Sequence, residues 1–300
     1  MIYTVTFAPA LDYALWLDRM IPGEVNRAQR TRLFVGGKGI NVSLVLRELG
    51  IPSVCLGFAA GFTGSEIVRR LRQEGLNEQM VRLENGLSRI NVKLKGAEET
   101  EINASGPAVD EAAMHAFLRR LEALGPGDVL VLSGGVPQGA KETLYARLNR
   151  MAAAKGAETV VDATGAQLIH ALAEGPMLVK PNLRELEAAT GGPIRTLAAL
   201  AERAEGLRRQ GARNVLVSMA GNGALLVDEH GEVHRIGCPK GKVVNSVGAG
   251  DSMVAGFVAG WMQTRSYSFA LRLGTACGSA TAFSLGLATK EKIDELMKEI

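Results

Sequence analysis

The sequence predicts an α/β fold built on a mainly parallel sheet with helices on both sides, and a small second sheet projecting from it. Short apolar runs rich in β-branched residues, the mark of strands buried on both faces, recur along the chain. They alternate with longer segments whose apolar residues fall at helical spacing. One further segment, 88–95, alternates apolar and polar residues strictly, as a strand covered on a single face does.

In chain order, residues 11–20 and 26–35 read as extended. The glycine-rich run at 36–43 then opens a helix over 41–49, which Gly50-Ile51-Pro52 closes with a glycine stop and a proline. Strands follow at 54–58, 129–132, 159–161, 177–179 and 215–217, with helices at 65–74, 111–124, 141–155 and 197–210, the last closed by Gly211. In 88–95, Ile90, Val92 and Leu94 share one face, and Arg89, Asn91 and Lys93 the other. Segments 11–35 and 88–104 are therefore expected to form the small sheet. Its basic, hydrogen-bonding face suits a lid as well as a solvated sheet edge. An apolar helix over 253–261 ends the series. With no internal repeat, low-complexity tract or linker, residues 1–300 read as one domain carrying a lid.

At 47% hydrophobic and 22% charged, the 300 residues have the composition of an ordinary globular chain with a sizeable core. The 34 basic and 31 acidic residues are interspersed and aromatics reach only 5%, so a nucleic-acid partner is not indicated. Cys55, Cys238 and Cys277 lie far apart without C-x-x-C spacing, which argues against a disulfide framework or a zinc site and for a reducing compartment. Residues 1–7 show no basic stretch leading into a long apolar run, and no later segment offers the roughly 18 apolar residues of a membrane span. A cytoplasmic location without a membrane partner is expected. His115, His170, His230 and His234 show no ligand or triad spacing and receive no role.

The chemistry concentrates in four loops. Asn245-Ser246-Val247-Gly248-Ala249-Gly250-Asp251-Ser252-Met253 sets an acid directly after a glycine-flanked turn and before an apolar helix. Such a turn can present several N–H groups to an anion at the positive end of a helix. A carboxylate beside it can take a proton from a hydroxyl while the amides take up charge on a phosphoryl group. This combination points to phosphoryl transfer to an alcohol, although Asp251 also suits a plain helix cap.

Gly36-Gly37-Lys38-Gly39-Ile40-Asn41-Val42-Ser43 permits close approach of a ligand, or is an ordinary strand-to-helix turn. It is not a Walker A loop, because Gly39 follows Lys38, and the absence of any G-x-G-x-x-G removes the main support for a Rossmann dehydrogenase. Lys180-Pro181-Asn182-Leu183-Arg184-Glu185 follows a strand at its carboxyl end, where ligands bind in open α/β sheets. Asn182 and Glu185, three apart on one helical face, suit a hydrated Mg²⁺ or a capping pair. The glycines of Ser218-Met219-Ala220-Gly221-Asn222-Gly223-Ala224 allow a nucleotide to come close, or form a hairpin turn at Asn222-Gly223.

Together with Ala8-Pro9-Ala10-Leu11-Asp12, the runs at 36–43, 180–185 and 245–253 resemble, in order and spacing and almost end to end, the PfkB (ribokinase-like) carbohydrate kinases. Within that family the chain resembles the branch of phosphofructokinases and tagatose-phosphate kinases. The resemblance implies a ribokinase-like three-layer sandwich with a β-sheet lid, using ATP and Mg²⁺ on a ketohexose monophosphate. D-Fructose 1-phosphate is the first expectation, tagatose 6-phosphate or fructose 6-phosphate the alternatives, and a non-catalytic sugar-phosphate sensor the alternative of another class.

The resemblance also implies the roles. Asp251 would be the general base, and the amides of Gly248, Ala249 and Gly250 the anion hole. Asp12 would grip sugar hydroxyls, with Gly37, Lys38 and Asn41 lining the sugar pocket. Arg89, helped by Lys93 and Arg27, would hold the phosphate already on the substrate. Lys180, Asn182, Ser218, Gly221 and Gly223 would contact ATP, and Asn182 and Glu185 would hold Mg²⁺ through water. A homodimer clasped through the lids is implied as well. One position departs from the pattern: Ala8 stands where the family usually has Asn.

Overall fold

The computed structural model describes residues 1–96 and 99–300. The expected lid segment 88–104 thus includes two residues, 97 and 98, that lie outside the described residues.

The chain opens with β1 (Ile2–Thr6), buried throughout, then leaves the main sheet in β2 (Ala10–Trp16) and β3 (Arg30–Gly36). It returns through α1 (Lys38–Glu48), β4 (Ser53–Ala60), α2 (Gly61–Gln73) and the short strands β5 (Asn77–Glu78) and β6 (Val81–Leu83). A second excursion forms β7 (Arg89–Lys95) and β8 (Thr100–Asn103). Regular alternation follows, through α3 (Glu111–Arg120), β9 (Val129–Ser133), α4 (Leu144–Ala153), β10 (Glu158–Asp162), α5 (Gly165–Leu172) and β11 (Leu178–Val179). After α6 (Leu183–Thr190) and α7 (Leu197–Arg209), β12 (Asn214–Ser218) leads into β13 (Ala224–Val227) and β14 (Val233–Ile236). Three helices end the chain: α8 (Ala249–Thr264), α9 (Tyr267–Ala282) and α10 (Lys290–Leu296).

The large sheet runs β14-β13-β12-β11-β10-β9-β1-β4-β5, with β6 also paired to β4. It is parallel except at the β12–β13 and β13–β14 pairs. Its strands read as continuous apolar runs because helices cover both faces. β9 shows the division: Leu130 and Leu132 enter one core with residues of α3, α4, α5 and α7, while Val129 and Val131 enter the other with α1, α8, α9 and α10. That is the period-two alternation of a strand shared by two layers. On the first side Phe7, Phe58, Phe117 and Tyr145 form an aromatic cluster, with ring centroids 5.2 to 6.1 Å apart. The second side depends on close contact of α8 with α9. A Cβ on Gly256 would stand 2.6 Å from the Leu273 carbonyl oxygen, so the helices meet at this separation only with glycine there.

Among the described residues the small sheet has four strands, in the order β3-β2-β7-β8. Asp12 pairs with Asn91, and Asn91 with Asn103, so these three side chains stand in one row on one face. The expected alternation in 88–95 is found: Arg89, Asn91 and Lys93 face inward over the large sheet's strand ends, where all three line a cavity. On the outer face Leu11 packs with Leu33 and Val35 against apolar residues of α1, β4 and α2, while Tyr13, Ile90 and Ile102 remain 36%, 41% and 56% exposed.

Candidate active site

The carboxyl ends of β10, β11 and β12, the first turns of α1 and α8, and the inner face of the small sheet enclose a cavity of about 400 Å³. Its walls are built by glycines at two helix starts. Gly248 caps α8 in the left-handed region, at φ +82°, and a Cβ there would lie 2.7 Å from Leu287 Cδ2. Gly37 caps α1 at φ +142°, and a Cβ there would fall 2.5 Å from Thr6 Cγ2.

Asp251, in the first turn of α8, is buried. It does not cap the helix, whose N-cap makes no side-chain hydrogen bond. Its Oδ2 instead accepts from Asn41 Nδ2 at 2.8 Å, across 210 residues of sequence. Burial, and then the negative Asp162, push its carboxyl up to about 6, against the pull of the Asn41 hydrogen bond, Lys38 and Lys180. The cradle differs by one residue from expectation. Ala249 does not line the cavity, and its amide donates to the Ser246 carbonyl at 3.2 Å. Gly248, Gly250 and Asp251 do line it, and among the described residues their amides meet no acceptor. This start of α8 is pinned by Ser252, whose amide (2.9 Å) and Oγ (2.8 Å) both donate to the Gly248 carbonyl and whose Oγ also meets Thr281 Oγ1 at 2.7 Å.

On the small-sheet side, Asp12 accepts from Asn91 Nδ2 at 2.8 Å. Gly36 leaves room for it, since a Cβ there would stand 2.4 Å from Asp12 Oδ2. Lys93 lines the cavity but is held by two carboxylates, Glu101 at 2.9 Å and Asp12 at 3.6 Å. The lysine expected to help hold a phosphate is thus engaged with two carboxylates of its own sheet. Arg89 donates Nε to the Ala8 carbonyl at 3.0 Å, and among the described residues its terminal nitrogens have no partner. A main-chain oxygen makes that contact, so the Ala8 departure leaves the arginine's aim intact. Arg27, also expected at the phosphate site, is exposed in the loop between β2 and β3 and is not among the residues lining the cavity.

At the strand ends, Lys38, Lys180, Asn182, Glu185 and Ser218 all line the cavity. The Asn182–Glu185 pair forms a reciprocal capping box. The Glu185 amide donates to Asn182 Oδ1 at 2.9 Å and the Asn182 amide to Glu185 Oε2 at 2.8 Å. Asn182 Oδ1 is thereby engaged, while Glu185 Oε1 keeps its lone pairs. The donor set fits a hydrated Mg²⁺ bound through water to Glu185, with Asn182 holding that glutamate in place. Gly221 and Gly223 fall outside the cavity lining. They belong to the 3₁₀ turn between β12 and β13, the hairpin alternative. A Cβ on Gly223 (φ +85°) would collide with the Ile236 carbonyl oxygen, so this glycine serves the backbone crossing.

Two residues escaped the sequence reading. Asp162, at the carboxyl end of β10, is 3% exposed and meets Lys180 at 3.2 Å and Lys38 at 3.4 Å. Burial alone would raise its carboxyl, but the two lysines outweigh that and hold it below the ordinary value. Its signal was an acid closing a buried strand. Asn91 was seen only as part of a polar face, yet it orients Asp12.

Residues 6–293 match the model of the pfkB family carbohydrate kinases. The chain is 42% identical to a 1-phosphofructokinase of Bacillus subtilis, with 100% of this chain and 98% of that protein covered. It is 35% identical to a D-tagatose-1-phosphate kinase of Bacillus licheniformis, again over 100% of this chain and 98% of that protein. Phosphofructokinase-2 from Escherichia coli, solved in complex with fructose-6-phosphate, is similar at a TM-score of 0.92 and 29% identity, covering 99% of this chain and 98% of that one.

Proposed function

The chain belongs to the pfkB family of carbohydrate kinases, and on that premise we propose that it transfers the γ-phosphoryl group of ATP to D-fructose 1-phosphate, giving D-fructose 1,6-bisphosphate. The observation that carries the reading is the buried Asp251, tied to Asn41 and set in the same helical turn as amides that meet no acceptor among the described residues.

Above pH 6 the Asp251 carboxylate takes the proton of the sugar's primary hydroxyl as that oxygen attacks the γ-phosphorus. The new P–O bond forms as the bond to the β-phosphate oxygen breaks, and ADP leaves. The amides of Gly248, Gly250 and Asp251 receive negative charge on the transferred group, and Lys180 and Lys38 stand beside its path. Glu185, steadied by Asn182, would hold Mg²⁺ through water, and the ion would supply neutralising charge to the nucleotide phosphates. Asp12 orients sugar hydroxyls. Arg89 binds the phosphate already present through its two unpartnered nitrogens, in the bidentate geometry guanidinium favours.

Relatives named for 1-phosphates support the choice of end, since a phosphate on C1 leaves the C6 hydroxyl as acceptor. The relative named D-tagatose-1-phosphate kinase favours D-tagatose 1-phosphate as the second substrate, in place of the tagatose 6-phosphate expected from the sequence. A sensor would need neither the base nor the amide cradle. The small sheet acts as a lid that excludes water. Its exposed outer face, with Tyr13, Ile90 and Ile102, fits coverage by a second copy in a homodimer. Among the described residues no helix is long and apolar enough to cross a membrane, and the three free cysteines fit a cytoplasmic setting.

ADP release should be measured with D-fructose 1-phosphate, D-tagatose 1-phosphate and D-fructose 6-phosphate at equal concentration. The highest kcat/KM is expected for fructose 1-phosphate. A clear preference for the 6-phosphate would overturn the assignment of Arg89 to a C1 phosphate.

A further inference from the structure

The Asp162 carboxylate joins two segments that both line the cavity. Its Oδ1 lies 3.2 Å from Nζ of Lys180, which follows β11, and its Oδ2 lies 3.4 Å from Nζ of Lys38, in the first turn of α1. Lys180 stands directly against the amide cradle, since a Cβ on Gly250 would come within 3.2 Å of its Nζ. Lys38 is one helical turn before Asn41, which bonds Asp251. A closed circuit results, from Asp251 through Asn41 and Lys38 to Asp162, and from there through Lys180 back to the first turn of α8.

We propose that Asp162 is a positioning residue for phosphoryl transfer: it anchors the Lys38 and Lys180 ammonium groups beside the path of the transferred group and keeps them from neutralising Asp251. The inference rests on the reading of Asp251 as the base.

Asp162 and Lys180 are 3% and 4% exposed, too buried for water to screen them. A lysine side chain has a long flexible stem and settles on the nearest carboxylate unless another holds it. Without Asp162, Asp251 is the carboxylate that acts most on Lys38, ahead of Glu185, and it also faces Lys180; a base paired with two cations has lost its affinity for a proton. With Asp162 in place, two carboxylates balance two lysines, and Asp251 stays a base suited to near-neutral pH. The groups facing Asp251 are Lys38 and Asn41 from α1, Asp162 from β10 and Lys180 after β11. Glu185 of α6 and Asp12 of β2 line the same cavity.

The test is the pH profile of kcat/KM for the sugar phosphate in wild type, Asp162→Asn and Lys180→Met. The same nucleotide, magnesium and sugar concentrations make the substrates' own titrations common to all three. Asp162→Asn should move the acidic limb to lower pH by about one unit, with turnover at pH 8 lowered roughly tenfold or more. Lys180→Met should move the limb the opposite way. Damage to the structure would lower activity without producing limb shifts of opposite sign. Limbs that stay in place, or that move in the same direction, overturn the proposal. If Asp162→Asn does not fold, Lys38→Met and Lys180→Met must still both raise the limb, and an unmoved limb in that pair also overturns it. Asp251→Asn separates the two readings. Near-wild-type turnover there removes the base assignment itself, whereas an inactive Asp251→Asn beside an unmoved limb in Asp162→Asn removes only the role of Asp162.

Discussion

A carboxylate shut away from water weakens the fold that holds it, and Asp251 is such a group. Its carboxyl is raised from 3.8 to about 6, so keeping it ionised in the folded state costs on the order of 3 kcal/mol. The sign follows from the direction of the shift. The folded chain binds this proton more tightly than the unfolded chain, so Asp251 places no burden on stability below about pH 4 and its full burden above about pH 6. Asp251→Asn should therefore raise the thermal midpoint at pH 8 and leave it nearly unchanged at pH 4, because the amide keeps an oxygen for Asn41 and carries no charge. Calorimetry at the two pH values checks this, and an equal change at both contradicts the burial cost. Asp251 and Asn41 were legible in the sequence because each sits in a run whose glycines announce a ligand, whereas Asp12, in a run without glycine, was reached only through the family resemblance. Asp162 was not, since one acid after Val160 and Val161 looks like any strand end until the fold brings Lys38 and Lys180 to it.

The start of α8 is the element on which the chemistry turns, and its geometry depends on Gly248. The backbone there is left-handed, and a side chain would press on Leu287. Gly248→Ala should shift the first-turn amides, lowering kcat by roughly tenfold or more while circular dichroism retains the wild-type helix content. Unchanged kcat would show that these amides do not receive the phosphoryl group. Most elements were legible for a simple reason: strands covered on both faces are apolar runs bounded by turns, and β4, β9, β10 and β12 fit that pattern. β1 was missed because Thr4 and Thr6 interrupt its apolar run. Both are buried, satisfied by Ser43 Oγ at 2.8 Å and by the Ile40 amide at 3.0 Å, which only the folded α1 supplies. α9 was missed as well. Its Gly, Ala, Ser and Thr residues make the close contact with α8 but carry little apolar periodicity.

Three layers and a projecting sheet draw the groups of the site from segments as far apart in the chain as Asp12 and Asp251, so the site exists only when those segments are folded together. The projecting sheet was legible from the strict alternation of 88–95, but what its outer face meets was not, because apolar residues at an edge read alike whether solvent or a partner covers them. Ile102, 56% exposed on that face, tests the pairing of lids. Ile102→Lys should convert a dimer to a monomer in sedimentation velocity, and a wild type that already sediments as a monomer contradicts the pairing. In the proposed reaction Asp251 removes the proton from the hydroxyl that attacks ATP. The most direct test is the steady-state turnover of D-fructose 1-phosphate by Asp251→Asn, with binding of ATP and sugar phosphate followed by calorimetry. We predict that both ligands still bind while kcat falls by roughly 10²–10⁴-fold; turnover within a factor of about two of wild type, below the smallest loss expected of a positioned base, would contradict it.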